Sequence, residues 1–216
     1  MICPITILKI KPSLVLKYLA CQQSSAQQRL TRAKIALISS SGSNEPPVAQ
    51  ITLTGDPENM EAQAARHYWP ALMAAGFRRE RAAVDANSYL NYGYTVLRAA
   101  TARAVCGTGL HPALGLHHGS RVNPFALVDD LMEPFRPLVD AIARDLAEAD
   151  GAQIANLDPD RKRRLAAVLQ QDLITKIGSS PLINCLGRLA QSLATSLAAK
   201  KDLLDLAQIV PSNRLL

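Results

Sequence analysis

Helix-boundary signals divide the chain from residue 56 onward into segments of helical length. Asp56 suits the N-cap position and Pro57 the first helical position, and this segment should end at Gly76. A second segment runs from about Ser88 to Val105 and should stop before the glycine at 107. These boundaries favour a chain built mainly from α-helices.

Three further helices are predicted in the C-terminal half. Residues 124–149 carry apolar side chains at helical spacing and should form one long helix, bent around Pro134 and Pro137. Asp158 and the proline after it predict a helix to about Leu173, and a last helix should span residues 182–201.

The composition agrees with a helical core. Hydrophobic residues make up 48% of the 216 residues, charged residues only 19% and aromatic residues 4%. Ala and Leu dominate the centre and the C-terminal half, which favours helices packed through small side chains over a β-sandwich. The net charge of +6 is compatible with a polyanion such as DNA, but many proteins without such a partner are equally basic.

The cysteines and the N-terminus predict a cytoplasmic protein. Cys3, Cys21, Cys106 and Cys185 show no C-x-x-C spacing, so reduced thiols are expected rather than a zinc knuckle or a disulfide framework. Lysines and prolines interrupt the apolar residues 2–20, which therefore lack the core of a signal peptide or a membrane span.

Three groups of residues could carry chemistry. Glu61 lies among small residues of a predicted helix, His117 and His118 lie in a glycine-bounded loop, and Asp130 and Glu133 are spaced to share one helical face. One imidazole with two or three carboxylates suits a hard divalent cation such as Mg²⁺ or Mn²⁺.

Each group also has an explanation without a metal. A helical glutamate such as Glu61 commonly faces solvent, and the two histidines could form an ordinary loop pair. Carboxylates at 129, 130 and 133 would be favoured near a helix N-terminus by the helix dipole alone. The residues by themselves therefore indicate a helical protein with a candidate carboxylate–histidine metal site.

Four long motifs in order narrow these alternatives. They are TGDPENMEAQAARHYWPAL (54–72), NSYLNYGYTVLRAATARAV (87–105), GLHPALGLHHGSRVNPFALVDDLMEPFRPLVD (109–140) and SPLINCLGRLAQSL (180–193). Over roughly residues 26–210 the chain resembles the universal CRISPR adaptation integrase, CRISPR-associated protein one, and it is most similar to the branch found in type II systems.

The resemblance implies a metal site of one Glu, one His and one further acidic residue. Glu61 matches the first ligand in an E-[GA]-x-A-A motif, and His118 is favoured over His117 by a G-[LIF]-x-H motif. The D-L-M-E motif makes Glu133 the third ligand and Asp130 a supporting carboxylate. The expected cofactor is Mg²⁺ or Mn²⁺.

The resemblance further implies phosphoryl transfer on DNA. Similar proteins join the 3′-hydroxyls of a short captured duplex to the ends of a CRISPR repeat, and many cleave branched DNA. Asn91 and Tyr92 would support the metal ligands or face DNA, or else only pack their helix. The basic side chains expected to bind DNA phosphates are Arg66, Arg78, Arg79, Arg81 and Arg121; a further cluster at 161–164 is better explained as a solvated helix face.

The resemblance also sets expectations for domains and partners. Residues 1–23 are expected to be a remnant of the β-rich N-terminal domain of the family, and residues 24–216 the helical metal-binding domain. The implied partners are double-stranded DNA, as spacer precursor and CRISPR repeat, a second CRISPR adaptation protein, and a second copy of the chain. The alternative is a truncated, catalytically impaired copy that acts at most as a DNA-binding or interaction module.

Overall fold

The computed structural model describes residues 69–70, 72–73, 76–116, 122–151, 157–199, 203–207 and 209. Five α-helices occupy these ranges: α1 (Ala86–Gly107), α2 (Ala126–Met132), α3 (Arg136–Asp150), α4 (Pro159–Ala166) and α5 (Leu182–Ala199). Short 3₁₀ turns follow α2 and α4, at Glu133–Phe135 and Ala167–Gln170. The one described sheet is a hairpin of β1 (Asp172–Thr175) and β2 (Gly178–Pro181). The mainly α-helical fold expected from the sequence is confirmed for the part that is described.

The helix α1 is the centre of the described fold, because α2, α3, α4 and α5 all pack against it. It begins at the N-cap Asp85, whose side chain accepts a 2.7 Å hydrogen bond from the backbone N–H of Asn87. It ends at Gly107, two residues before Gly109, which adopts a φ of 76° that favours glycine.

Gly93 allows α1 and α3 to approach each other closely. A Cβ atom added at this position would lie 2.4 Å from Cγ1 of Val139 on α3. Real Cβ atoms do not tolerate such a distance, so a larger residue here would require a shift of the Val139 side chain or of one helix.

The helix predicted over residues 124–149, entered or bent at its prolines, is two helices, α2 and α3, separated at those prolines. Pro134 lies in the 3₁₀ turn between α2 and α3, and Pro137 lies in the first turn of α3. Neither proline has an N–H to donate, so the α-helical hydrogen bonds are interrupted here and a 3₁₀ turn separates α2 from α3.

The helix predicted from Asp158 to Leu173 is correct at its start and wrong at its end. Asp158 caps α4 by accepting a 2.8 Å hydrogen bond from the N–H of Arg161. The helix ends at Ala166, however, and Leu173 lies in β1, paired with Ser180 of β2. The β-branched Ile174 and its threonine neighbour favour a strand, and Gly178, the first residue of β2, adopts a φ of 114° directly after the turn.

Two apolar clusters hold the helices together. The larger lies between α1, α2, α3 and α5 and includes Leu97, Leu131, Phe135 and Leu189, all fully buried. Each such side chain contributes roughly 1.5–3 kcal/mol of transfer free energy to folding. The smaller cluster joins α1, α3 and α4.

A polar contact closes the smaller cluster. The hydroxyl of Tyr89 on α1 donates to the carboxylate of Asp150 at the end of α3, and Arg161 of α4 donates its Nε to the same carboxylate at 2.8 Å. These hydrogen bonds hold the pKa of Asp150 below its usual value of 3.8, with the bond from Arg161 as the largest cause. The three helices are thus joined by one charged group as well as by apolar packing.

Among the described helices, none offers an uncharged apolar stretch that would be sufficient to cross a bilayer.

Candidate active site

Two predicted site carboxylates lie at the end of α2. Asp130 is 6% exposed and Glu133, the first residue of the 3₁₀ turn, is 7% exposed. Buried carboxylates require polar or charged partners, and both of these side chains have them. The pattern D-L-M-E thus places two acids inside the protein.

Asp130 holds the loop that leads to the two histidines. Its Oδ2 atom accepts a 2.7 Å hydrogen bond from the backbone N–H of Leu116. A second contact, from the N–H of Leu127 to the carbonyl oxygen of Pro112 at 2.8 Å, fixes the same loop to α2. The chain that enters His117 and His118 is therefore attached to the helix of the carboxylates.

The convergence of all predicted ligands stays a prediction. Glu61 and His118 lie outside the described residues, as do Arg66 and Arg121. Within the described ranges, no three His, Cys, Asp or Glu side chains are close enough together to bind one metal ion.

A basic cleft of about 730 Å³ lies along the N-terminal half of α1 and the α2–α3 bend. Among the described residues, its walls carry four arginines and one carboxylate, that of Asp129, so this part of the lining has an excess of positive charge. It is lined by Trp69, Arg79, Arg81, Asn91, Tyr94, Thr95, Arg98, Asn123, Asp129, Met132 and Arg136. Met132 forms one edge of the cleft, and Glu133 is the next residue in the chain.

Two asparagines one turn apart on α1 fix the loop before it. Asn87 is fully buried; its Oδ1 accepts a hydrogen bond from Nη1 of Arg79 at 2.8 Å, and its Nδ2 donates to the carbonyl of Arg78 at 3.0 Å. Asn91 accepts from Nη2 of Arg79 at 2.7 Å and donates to the carbonyl of Arg81 at 2.8 Å. Arg79 and Arg81 reach the cleft, whereas the exposed Arg78 is not part of its lining.

The two residues singled out in the N-Y-G-Y motif have different surroundings. Asn91 lines the cleft, and both its support of the metal ligands and its contact with DNA stay predictions. Tyr92 packs against the smaller apolar cluster, and this contact agrees with the alternative that Tyr92 only packs its helix.

Tyr94 contacts two arginines of the cleft. The guanidinium carbon of Arg79 lies 5.6 Å from the centre of its ring and that of Arg136 lies 5.5 Å from it. The Tyr94 hydroxyl donates to the carboxylate of Asp140 on α3. Desolvation, followed by the charge of Asp140, raises the pKa of Tyr94 well above 10, so the hydroxyl keeps its proton and remains a donor.

Arg98 is neutralised within the cleft. It donates Nε and Nη2 to the two oxygens of Asp129 at 2.7 and 2.8 Å, and its guanidinium lies 4.8 Å from the centre of the Phe125 ring. Asn123 bridges the pair, accepting from Arg98 at 3.2 Å and donating to Asp129 at 2.8 Å. This arrangement ties α1 to the start of α2.

Sequence reasoning missed Tyr94, Arg98 and Arg136. One sequence pattern could have pointed to the first two of them. Polar and aromatic side chains recur at helical spacing on one face of α1, at Asn87, Asn91, Tyr94 and Arg98.

Comparison with known proteins identifies first the fold and then the family. A solved chain described as "Casposase bound to integration product" matches with a TM-score of 0.59, covering 90% of this chain and 68% of that chain. At 21% identity, this likeness defines the fold alone. The family model described as "CRISPR associated protein Cas1" matches residues 15–177. The chain belongs to the CRISPR associated protein Cas1 family.

Two curated relatives show what share of a full-length Cas1 protein this chain matches. The chain is 45% identical over 127 residues to the CRISPR-associated endonuclease Cas1 of Neisseria meningitidis serogroup C (strain 8013), covering 58% of this chain and 41% of the relative. It is 35% identical over 140 residues to the CRISPR-associated endonuclease Cas1 2 of Pyrobaculum aerophilum, covering 63% of this chain and 47% of the relative. The chain thus matches less than half the length of either relative.

Proposed function

We propose that this chain carries the site for metal-dependent phosphoryl transfer on DNA in CRISPR adaptation, as an endonuclease and integrase that inserts new spacers into the CRISPR array. The observation that carries the proposal is the hydrogen bond from Leu116 N–H to Asp130, which attaches the histidine-bearing loop to the helix of two buried carboxylates. Family membership and the endonuclease names of the relatives support the same chemistry.

The donor groups suit a hard divalent ion. Carboxylate oxygens with one imidazole are ligands for Mg²⁺ or Mn²⁺, and Glu133 would hold the ion together with Glu61 and His118. When bound, such an ion supplies Lewis-acid stabilisation of charge on the attacked phosphodiester. Asp130 orients the loop before the histidine, a supporting role that commonly fixes a ligand's position.

The basic cleft supports DNA as the substrate. Arg79 and Arg81 would bind backbone phosphates. Asn91 holds in place the loop that carries both arginines. A strand held there would pass the edge formed by Met132, beside Glu133. Orientation of the phosphodiester next to the ion is the main contribution that the protein makes in such reactions.

Family membership supports the proposed partners and compartment. We expect spacer precursor and CRISPR repeat as duplex DNA, a second adaptation protein, and pairing of two subunits, in the cytoplasm. Cys106 and Cys185, the cysteines within the described residues, are both free thiols, which agrees with a reducing compartment.

The alternative is a DNA-binding or interaction module without catalysis, since the arginines of the cleft need no metal to bind phosphate. The deciding experiment incubates the purified chain with branched duplex DNA in Mg²⁺, in Mn²⁺ and in EDTA. Metal-dependent cleavage or strand transfer supports the enzyme, and binding without any product under all three conditions supports the module.

The matched variants for this experiment are Glu133→Gln and Glu148→Gln. Both remove one carboxylate charge from a helical region, but Glu133 is buried at the site and Glu148 is exposed on α3. Activity should fall by at least about 100-fold in Glu133→Gln, given the sensitivity of metal sites to altered ligands, and should be unchanged in Glu148→Gln. Equal activity in the two variants would exclude Glu133 as a ligand.

A further inference from the structure

The structure describes both sides of the loop that carries the two histidines, here called the histidine loop (residues 116–123). The side before the histidines is attached to α2, because the N–H of Leu116 donates to Asp130. The side after them is attached as well: Nδ2 of Asn123 donates to Oδ2 of Asp129 at 2.8 Å. Both ends of the loop therefore bind consecutive carboxylates of one helix, whose Cα atoms are about 3.8 Å apart across one peptide bond.

The side chain of Asn123 is fixed by three hydrogen bonds. Besides its bond to Asp129, its Oδ1 accepts from Nη2 of Arg98 at 3.2 Å and from the backbone N–H of Phe125 at 3.0 Å. The bond to Phe125, two residues further on, is an Asx turn that shapes the entry into α2. Because both atoms of the Asn123 amide are used, the orientation of this side chain is defined.

Arg98 completes this attachment from α1. Its Nε and Nη2 atoms bind both oxygens of Asp129, and such a paired contact is stronger and more directional than a single hydrogen bond. The Phe125 ring centre lies 4.8 Å from the same guanidinium. With its charge matched by Asp129 and its guanidinium against Phe125, Arg98 is arranged to hold the start of α2 and the end of the histidine loop.

Attachment at both ends restricts a short loop more than attachment at one end. A loop that is tied at one end keeps the conformational freedom of its other side, and an ion that binds it must order that side at the expense of affinity. When the second end is tied to the neighbouring carboxylate, the loop is already confined before the ion arrives. A metal ligand in such a loop binds with a smaller loss of conformational entropy.

We propose that Arg98, Asp129 and Asn123 form a second anchor of the histidine loop. They act as positioning residues for the metal ligand in that loop, His118, and the inference rests on the proposed function for the identity of this ligand. Asp129 then holds the end of the loop after the histidines, as Asp130 holds the end before them. Arg98, although it lines the basic cleft, serves the metal site and not DNA binding.

The first test needs neither metal nor DNA. Trypsin cleaves after Arg121, inside the histidine loop, and the rate of this cleavage in EDTA follows how often the loop opens. Asn123→Ala and Arg98→Gln should each raise the rate about tenfold, the factor expected for the loss of a hydrogen bond to a charged group. Mass spectrometry follows the fragment that begins at Val122. Arg103→Gln, which also removes one tryptic site at an exposed position of α1, is the matched control and should leave the rate unchanged.

Cleavage after Lys176, in the turn of the hairpin, is the internal reference for general unfolding. It should keep its wild-type rate in both anchor variants. An equal rise at the two cleavage sites, or equal rates in Arg98→Gln and Arg103→Gln, would overturn the anchor. If Arg98→Gln fails to fold, Asn123→Ala decides alone, because Asn123 lies outside the helices and its loss leaves the ion pair of Arg98 in place.

The second test measures whether the anchor acts on the metal ligand. Binding of Mn²⁺ in the absence of DNA is followed by the EPR signal of the free ion. Arg98→Gln should weaken binding about tenfold, as expected for a group that orients a ligand, and Arg103→Gln should not. The Mn²⁺ concentration for half-maximal cleavage of branched DNA should rise by the same factor, with the maximal rate retained. A lower maximal rate at unchanged Mn²⁺ affinity would contradict the positioning role.

The salt dependence of DNA binding in EDTA distinguishes this role from a phosphate contact. Arg98→Gln should keep the wild-type slope of log K against log salt, whereas the loss of one phosphate contact would reduce the slope by about 0.9. A reduced slope with unchanged tryptic cleavage after Arg121 would assign Arg98 to DNA and reject the proposal.

These measurements can fail independently of the proposed function. Metal-dependent cleavage of DNA by the wild-type chain, with wild-type tryptic cleavage and Mn²⁺ affinity in Arg98→Gln, would reject the anchor and leave the enzyme standing. Faster tryptic cleavage in the anchor variants, with neither Mn²⁺ binding nor DNA cleavage by the wild-type chain, would reject the enzyme and the positioning of a metal ligand. The attachment of the loop would then stand as a structural contact only.

Discussion

The carboxylate of Asp130 and the backbone N–H of Leu116 are joined by a hydrogen bond of 2.7 Å, although 14 residues separate them in the chain. Asp130→Ala should release the loop before the histidines and lower metal-dependent activity about 10- to 100-fold, the usual effect of a lost supporting group. Asp130→Asn keeps one acceptor oxygen and should lose less. The measurement is activity against metal concentration, with the exposed Asp172→Asn as control; equal activity in Asp130→Ala and the control would refute a supporting role.

The two histidines offer an internal comparison. His118→Ala and Glu61→Ala should each abolish metal-dependent cleavage, while His117→Ala should retain most of it, because the family motif selects the second histidine. Single-turnover cleavage of branched DNA checks this. Loss of activity in His117→Ala with a normal His118→Ala would reverse the assignment.

Gly93 and Gly187 form a matched pair for stability. Gly93→Ala places a Cβ 2.4 Å from Cγ1 of Val139 and should lower the free energy of unfolding by about 1–3 kcal/mol. Gly187→Ala, in α5, meets nothing within 4 Å and should raise it by about 0.5–1 kcal/mol. Urea denaturation measures both, and a stabilised Gly93→Ala would contradict the close approach of α1 and α3.

The Asp150 carboxylate should make the free energy of unfolding depend on pH. Because hydrogen bonds from Arg161 and Tyr89 lower its folded-state pKa below 3.8, its contribution is present above that value and is lost as the pH falls through the folded pKa. Asp150→Asn should therefore be less stable than wild type by roughly 1–3 kcal/mol at neutral pH. The difference should shrink below about pH 4 in thermal or urea unfolding, and a difference that stays constant to pH 2 would show that another group is responsible.

The helical fold could be predicted because its signals are local. Asp158 followed by proline, and prolines at 134 and 137, fix backbone geometry wherever they occur, and the structure has a helix start and a helix break at those places. The hairpin at 172–181 was not predicted because no proline marks the end of helix 159–166. The pairing of Leu173 with Ser180 depends on contacts between the strands, which the local sequence does not reveal.

The cleft could be predicted only in part, for a related reason. Arg79 and Arg81 belong to a basic run that is visible in the sequence, whereas Arg136 and Tyr94 come together only because α1 and α3 pack side by side. The buried state of Glu133 agrees with its predicted role as a ligand, but the meeting of Glu61, His118 and Glu133 lies outside the described residues and stays a prediction.

The glycine at position 93 also affects the contacts of the next residue, Tyr94. Tyr94 follows Gly93 on α1, and its two partners on the facing helix, Arg136 and Asp140, lie on either side of Val139 in the chain. The spacing between the two helix axes thus sets how far the phenol can reach across. A side chain added at position 93 would push α1 and α3 apart, so the contacts of Tyr94 with Arg136 and Asp140 depend on the small volume of the residue that precedes it.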